Sequence, residues 1–294
     1  MIELANILKK DKIIRISPAD TLANSLTKLS SSHDAGFVFD HDKFLGLINP
    51  YYCLIKSSHP GNSKVANCLH HPPKIYIDFP IDKVAQLLVE SKIHYLPVFD
   101  RGENFMGIIT ARRLLSRLKD LPVFKTKVDD LLGFFGRMPL VVIYEDATVS
   151  QAINLFKKSK KSKLVVINRD MKLRGVLSYY DLISFMMTTK NKGGRQDIKS
   201  DKSHLYSQHI KKFIKTFVLT LKKGSFISDA FRLIIDKKIG SVILVDDDRH
   251  PIGIITTKDL LRYFIGTERL SFIKNVSSRI GRIFSKKKTY KDKR

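Results

Sequence analysis

Four times along the chain a short apolar run closes on a hydroxyl or amide residue, and a helical pattern follows at once. The runs are Gly46-Leu47-Ile48-Asn49, Gly107-Ile108-Ile109-Thr110, Gly175-Val176-Leu177-Ser178 and Gly253-Ile254-Ile255-Thr256. Their reference glycines are 61, 68 and 78 residues apart. Recurrence at such a period marks a repeat protein, whose sites lie where repeats meet.

Each repeat has one grammar: an extended opening, a helix, two short strands and a second helix. The openings are expected at Ile13–Ile16, Ile75–Ile77, Leu140–Tyr144 and Phe217–Thr220. In the first repeat, Ser17-Pro18 with Asp20 predicts a helix start, and Leu22, Leu26 and Leu29 share a face. Polar turns such as Asp40-His41-Asp42-Lys43 and Asp100-Arg101-Gly102-Glu103-Asn104 separate the paired strands. The resulting divisions are 1–60, 61–120, 121–189 and 190–266, with a polar, aperiodic loop over 190–203. Over 267–294, Leu270, Ile273, Val276, Ile280 and Ile283 predict an amphipathic helix followed by a basic tail. A βαββα unit of this size buries too little apolar surface alone, so the repeats should pair.

Composition changes the picture through charge. The 294 residues carry 53 Lys and Arg against 28 Asp and Glu, a formal net charge of +25. That balance favours anionic ligands without choosing among nucleotide, nucleic acid and anionic membrane. Cys53 and Cys68 have no metal-ligand spacing, and the nine His are scattered. No apolar run approaches the roughly 20 residues that cross a bilayer, and no signal peptide opens the chain. A cytoplasmic protein is expected. No P-loop, nucleophile elbow or other catalytic phrase is present, so an enzyme is not expected.

The phrases Ile93-His94-Tyr95-Leu96-Pro97-Val98-Phe99-Asp100 with Gly107-Ile108-Ile109-Thr110, and Gly253-Ile254-Ile255-Thr256-Thr257-Lys258-Asp259-Leu260-Leu261, resemble the cystathionine-β-synthase (CBS) domain family. The resemblance covers roughly residues 13 to 264, in four copies. It implies an α/β (α+β) fold of tandem βαββα repeats paired into two Bateman modules, repeats one with two and three with four. The layout is similar to that of the gamma subunit of AMP-activated protein kinase. Clefts of such modules often hold adenine nucleotides or adenosyl ligands.

A helix start carrying a hydroxyl and, three residues on, an acid suits such a ligand. A carboxylate accepts from both hydroxyls of a ribose, and the free N–H groups of the helix favour a phosphate. Thr256, Lys258 and Asp259 supply hydroxyl, cation and acid; Ser178 and Asp181 supply hydroxyl and acid. The same spacing serves as a helix cap. The resemblance adds Ser162 and Lys163, with Val142 and Ile143, to the Asp259 cleft. To the Asp181 cleft it adds Gly240 and Ser241, with Val218 and Leu219 beside the base. Repeats one and two carry Tyr52 and Arg113 at the acid position, so ribose binding is not expected there and the first module is expected to serve packing or partner contact, with His94, Arg112 and Arg113 as the alternative phosphate contacts.

The expectation is a non-catalytic, ligand-sensing protein without a tightly bound cofactor. Its candidate ligands are AMP, ADP, ATP or S-adenosylmethionine, and its modules should contact a partner protein or a second copy. The alternative is a nucleic-acid-binding protein working through the basic surface and tail.

Overall fold

The computed structural model describes residues 3–29, 35–57, 59–91, 93–135, 140–188 and 206–267. In chain order the first repeat contributes β1 (Arg15–Ile16), α1 (Leu22–Lys28), β2 (Gly36–Asp40), β3 (Lys43–Ile48) and a π-helix (Tyr51–Lys56). The second contributes β4 (Ile75–Tyr76), α2 (Ile81–Glu90), β5 (Tyr95–Phe99), β6 (Phe105–Thr110) and α3 (Ala111–Leu118). A connecting helix α4 (Val128–Phe135) leads to β7 (Val142–Tyr144), α5 (Val149–Ser159), β8 (Lys163–Ile167), β9 (Leu173–Ser178) and α6 (Tyr179–Thr188). The fourth has β10 (Thr220–Lys222), α7 (Ile227–Asp236), β11 (Ser241–Val245), β12 (Pro251–Thr256) and α8 (257–267).

Each repeat builds one three-stranded sheet, in which the opening strand pairs parallel with the first strand of an antiparallel hairpin. In repeats one to three the recurring glycine has a steric cause. After β9, residue Lys215 exchanges backbone hydrogen bonds with Val176 at 2.9 and 3.0 Å. A Cβ on Gly175 would lie 2.6 Å from the Lys215 carbonyl oxygen, and one on Gly107 would lie 2.8 Å from that of Lys9. The linker docks on the hairpin only where no side chain intervenes.

Sheets one and two meet through aromatic residues. Phe39 sits edge-on to Phe105 at 5.1 Å between centroids, and Phe44 approaches Phe99 at 5.5 Å. Sheets three and four meet through a small aliphatic cluster of Val165, Leu173, Ile243 and Val245, flanked by Val142, Val176, Val218 and Ile254. Helices then join the two pairs. α1 packs on α6, the π-helix on α5, and α3 on α7, so repeat one faces repeat three and repeat two faces repeat four. Tyr51 meets Tyr179 across the first junction, and Phe124 meets Phe231 across the second.

Two local expectations are corrected. The first helix starts from Thr21, whose hydroxyl accepts from the Asn24 N–H, and not from Ser17; residues 17–20 instead form a turn closed by the Asp20 N–H on the Ser17 carbonyl. The fourth opening strand begins at Thr220, three residues after Phe217. Lys215 is still bound to sheet three, and the chain must cross to sheet four before the Leu219 carbonyl can accept from Ile243. The expected loop over 190–203 and the amphipathic helix and tail beyond 267 lie outside the described residues. Among the described residues no helix is long and apolar enough to cross a membrane.

Candidate functional site

At the start of α6 the Asp181 side chain turns back on its own helix. Its Oδ2 accepts from the Ser178 backbone N–H at 2.8 Å and from the Ser178 hydroxyl at 2.7 Å. Its Oδ1 faces the Lys215 ammonium at 2.8 Å. Asp259 repeats the arrangement at α8. Oδ2 accepts from the Thr256 N–H at 3.0 Å and from the hydroxyl at 2.6 Å, while Oδ1 meets Arg262 at 3.1 Å. Both carboxylates are half-sheltered, their side chains 11% and 15% exposed. One oxygen of each thus caps a helix, and the other is held by an exposed cation that an incoming hydroxyl can displace.

Lys163 lies at the centre. Grouped with Asp259 by the expected geometry, its side chain instead crosses to the other set. Its ammonium donates to the Ser241 hydroxyl at 2.9 Å and lies 2.8 Å from where a Cβ on Gly240 would be. Burial, then the nearby Lys215 charge, lowers its pKa to about 8, with Asp181 opposing and Arg112 adding to the fall. Glycine at 240 and serine at 241 are therefore what let a long cation extend along this edge.

The first module supplies further cations to the same place, contrary to the alternative in which His94 and Arg112 serve its own cleft. Arg112 on α3 reaches across the junction, donating to the carbonyls of Lys238 at 2.9 Å and Ile239 at 3.3 Å. Its buried Nε has no hydrogen-bond partner among the described residues. His94 Nδ1 lies 3.3 Å from the Thr257 hydroxyl. Burial, and then the charges of Lys258, Lys163 and Arg112, hold its imidazole neutral, well below the ordinary histidine range. The Lys258 Nζ is buried. Repeats two, three and four thus converge three cations and a neutral imidazole on one junction, with Asp181 beside Lys163.

The remaining candidates divide. Val142 and Val218 belong to the aliphatic cluster between sheets three and four, where a base could lie. Ile143, the next residue along β7, points to the opposite face and is buried in the core shared with repeat one. Leu219 offers its backbone carbonyl to β11. Ser162 is half-buried at the entry to β8.

Repeats one and two differ at the equivalent places. Tyr52 stacks on His70 at 3.7 Å and donates its hydroxyl to the Ser91 carbonyl at 3.2 Å. His70 pairs with Leu47 as Lys215 pairs with Val176, so an aromatic pair stands where repeat three has an ion pair. Arg113, at the start of α3, donates its backbone N–H to the Thr110 hydroxyl at 3.1 Å.

The CBS domain model matches residues 65–120, 129–188 and 210–266, more than half of the chain. The chain belongs to the CBS-domain family. The first repeat lies outside the matched segments, yet it builds the same sheet. Along the sequence the chain is similar to an uncharacterized protein of Methanocaldococcus jannaschii, MJ1426, with 26% identity over 42% of this chain and 86% of that protein. It is also similar to the human 5'-AMP-activated protein kinase subunit gamma-3, with 25% identity over 60% of this chain and 37% of the subunit. The chain thus spans well under half of that relative's length. Among solved structures it is similar to M. jannaschii MJ1225, which is described as an archaeal homologue of the gamma subunit. The TM-score is 0.74 at 18% identity, covering 90% of this chain and all of that one. A conserved uncharacterized protein of Pyrococcus horikoshii gives 0.58 at 14% identity, covering 89% and 99%. The fold is shared with these two solved structures.

Proposed function

We propose that this chain is a regulatory, non-catalytic CBS protein that binds an adenine nucleotide in its second module, phosphate inward. The observation that carries this reading is the convergence of Lys163, Lys258 and Arg112 around His94, with Asp181 beside Lys163. Gathering cations on a protein interior costs desolvation and mutual repulsion, and the depressed Lys163 pKa records that cost. A bound phosphate would offset both. Asp181 or Asp259 would take the ribose hydroxyls through Oδ1, and the valines of the inter-sheet cluster would bed the base.

Charge then ranks the candidate ligands. AMP, ADP and ATP bring anions to a cationic junction, whereas the sulfonium of S-adenosylmethionine adds a further cation, so phosphate-bearing nucleotides are favoured. The likeness to the kinase gamma subunit supports a regulatory role of the same kind. The half-buried setting of these cations suits a small anion better than a nucleic-acid strand, which needs an open basic face. The output would run through the repeat two–repeat four junction, where Arg112 and His94 contact repeat four and phosphate contacts would bias one arrangement over another. That change would be read by a partner protein or a second copy of the chain.

Isothermal calorimetry with AMP, ADP, ATP and S-adenosylmethionine tests the reading. Nucleotide binding should weaken by at least about tenfold in the double variant Asp181→Ala, Asp259→Ala, as expected for losing a charge-assisted pair of hydrogen bonds. Absence of heat at millimolar nucleotide, or equal affinity in the double variant, would overturn it.

A further inference from the structure

The second repeat holds a site of a different kind. A cleft of about 520 Å³ opens between α3 and the N-terminal segment, lined by Ile7, Arg113, Ser116, Arg117, Lys119 and Asp120. Its volume is in the range of small-molecule pockets. Its charge is three cations against one carboxylate. The two guanidinium groups lie one helical turn apart, and neither makes a side-chain hydrogen bond or ion pair among the described residues. Like charges at that spacing repel each other on a helix.

The walls are fixed. α3 is pinned by the buried side chains of Leu114, Leu115 and Leu118, and Ser116 donates its hydroxyl to the Arg113 carbonyl at 2.7 Å. The opposite wall is held by the exchange of backbone hydrogen bonds between Lys9 and Ile108, and by Ile7, which is buried at the floor. Repeat four shows by contrast what this face does elsewhere: there Asp259 stands at the position of Arg113 and neutralises an arginine on its own helix. Repeat two thus presents a cation at the position where repeat four presents a carboxylate.

We infer that the Arg113–Arg117 cleft binds the phosphate end of a small phosphorylated ligand, separately from the nucleotide site proposed above. A guanidinium pair matches the oxygens of a phosphate dianion bidentately. The cleft volume exceeds a bare phosphate, leaving room for an organic remainder. The Lys119 ammonium adds charge at the rim.

The probe is inorganic pyrophosphate on the full chain at about 0.15 M salt, where scattered surface contacts are screened. Arginine-directed dicarbonyl labelling, read by mass spectrometry, reports each guanidinium separately. Pyrophosphate should slow labelling of Arg113 and Arg117, and should do so equally in Lys163→Met, whose central site is disabled. The double variant Arg113→Ala, Arg117→Ala should lose at least about tenfold of the affinity that Lys163→Met retains, with unchanged thermal stability, because both side chains are exposed. Labelling indifferent to millimolar pyrophosphate, protection that vanishes in Lys163→Met, or protection given by RNA alone would overturn the inference. The Asp181→Ala, Asp259→Ala variant should keep this protection while losing AMP, so failure of one site is distinguishable from failure of the other.

Discussion

Replacing Lys163 by methionine should make the ligand-free protein more stable while crippling it. The folded-state pKa of Lys163 is about 8, down from 10.5. At about 1.4 kcal/mol per pKa unit, holding this ammonium in the folded chain costs about 3 kcal/mol. Methionine has a similar length and no charge. It forfeits the hydrogen bond to the Ser241 hydroxyl, about 1 kcal/mol, leaving a net gain of about 2 kcal/mol. For a chain of this size that corresponds to a rise of about 4 °C in melting temperature at pH 7. The sign of the pH dependence is fixed. A lysine whose folded pKa is lowered destabilises fully below that pKa, and the penalty fades as pH rises from about 8 through 10.5, where the unfolded chain also loses the proton. The gap between wild type and Lys163→Met should therefore close between pH 8 and 10.5. Thermal unfolding across that range measures it, and calorimetry on the same samples should show at least about a tenfold loss of AMP affinity. A methionine variant that melts below wild type at pH 7, or a gap that does not change with pH, would refute the account of a strained central cation. Wild-type protein should also take up a proton on binding AMP near pH 8.5, seen as a binding heat that depends on buffer ionisation.

Three other outcomes follow from the packing. Gly175→Ala places a methyl 2.6 Å from the Lys215 carbonyl, and should destabilise by about 1–3 kcal/mol in denaturant titration while weakening AMP binding through the displaced Lys215. Asp259→Asn should keep part of the cap, so it should cost under about 1 kcal/mol in stability yet weaken nucleotide binding more than it weakens folding. Burial pushes the Cys53 thiol up to about 12, so native protein at pH 8 should resist alkylation at Cys53 by iodoacetamide until denaturant is added.

The local pattern alone determined the four repeats, their strand–turn–strand hairpins and the capping phrases Ser178-x-x-Asp181 and Thr256-x-x-Asp259. Alternation, turn residues and caps are local properties, written within a few residues of where they act. The start of α1 and the onset of β10 were misplaced because both are set at a distance: α1 by the Ser63 and Gly61 carbonyls that receive its first N–H groups, β10 by the anchoring of Lys215 on sheet three. The same limit hid the centre of the candidate site. Nothing near His94 or Arg112 in the chain points to the second module, and Lys163, expected beside Asp259, reaches Ser241 instead. Only the docking of α3 on α7 carries Arg112 to the carbonyls of Lys238 and Ile239, 126 and 127 residues away in sequence. Burial there, a property of the packed assembly and of no single segment, is what lowers the Lys163 pKa and holds His94 neutral.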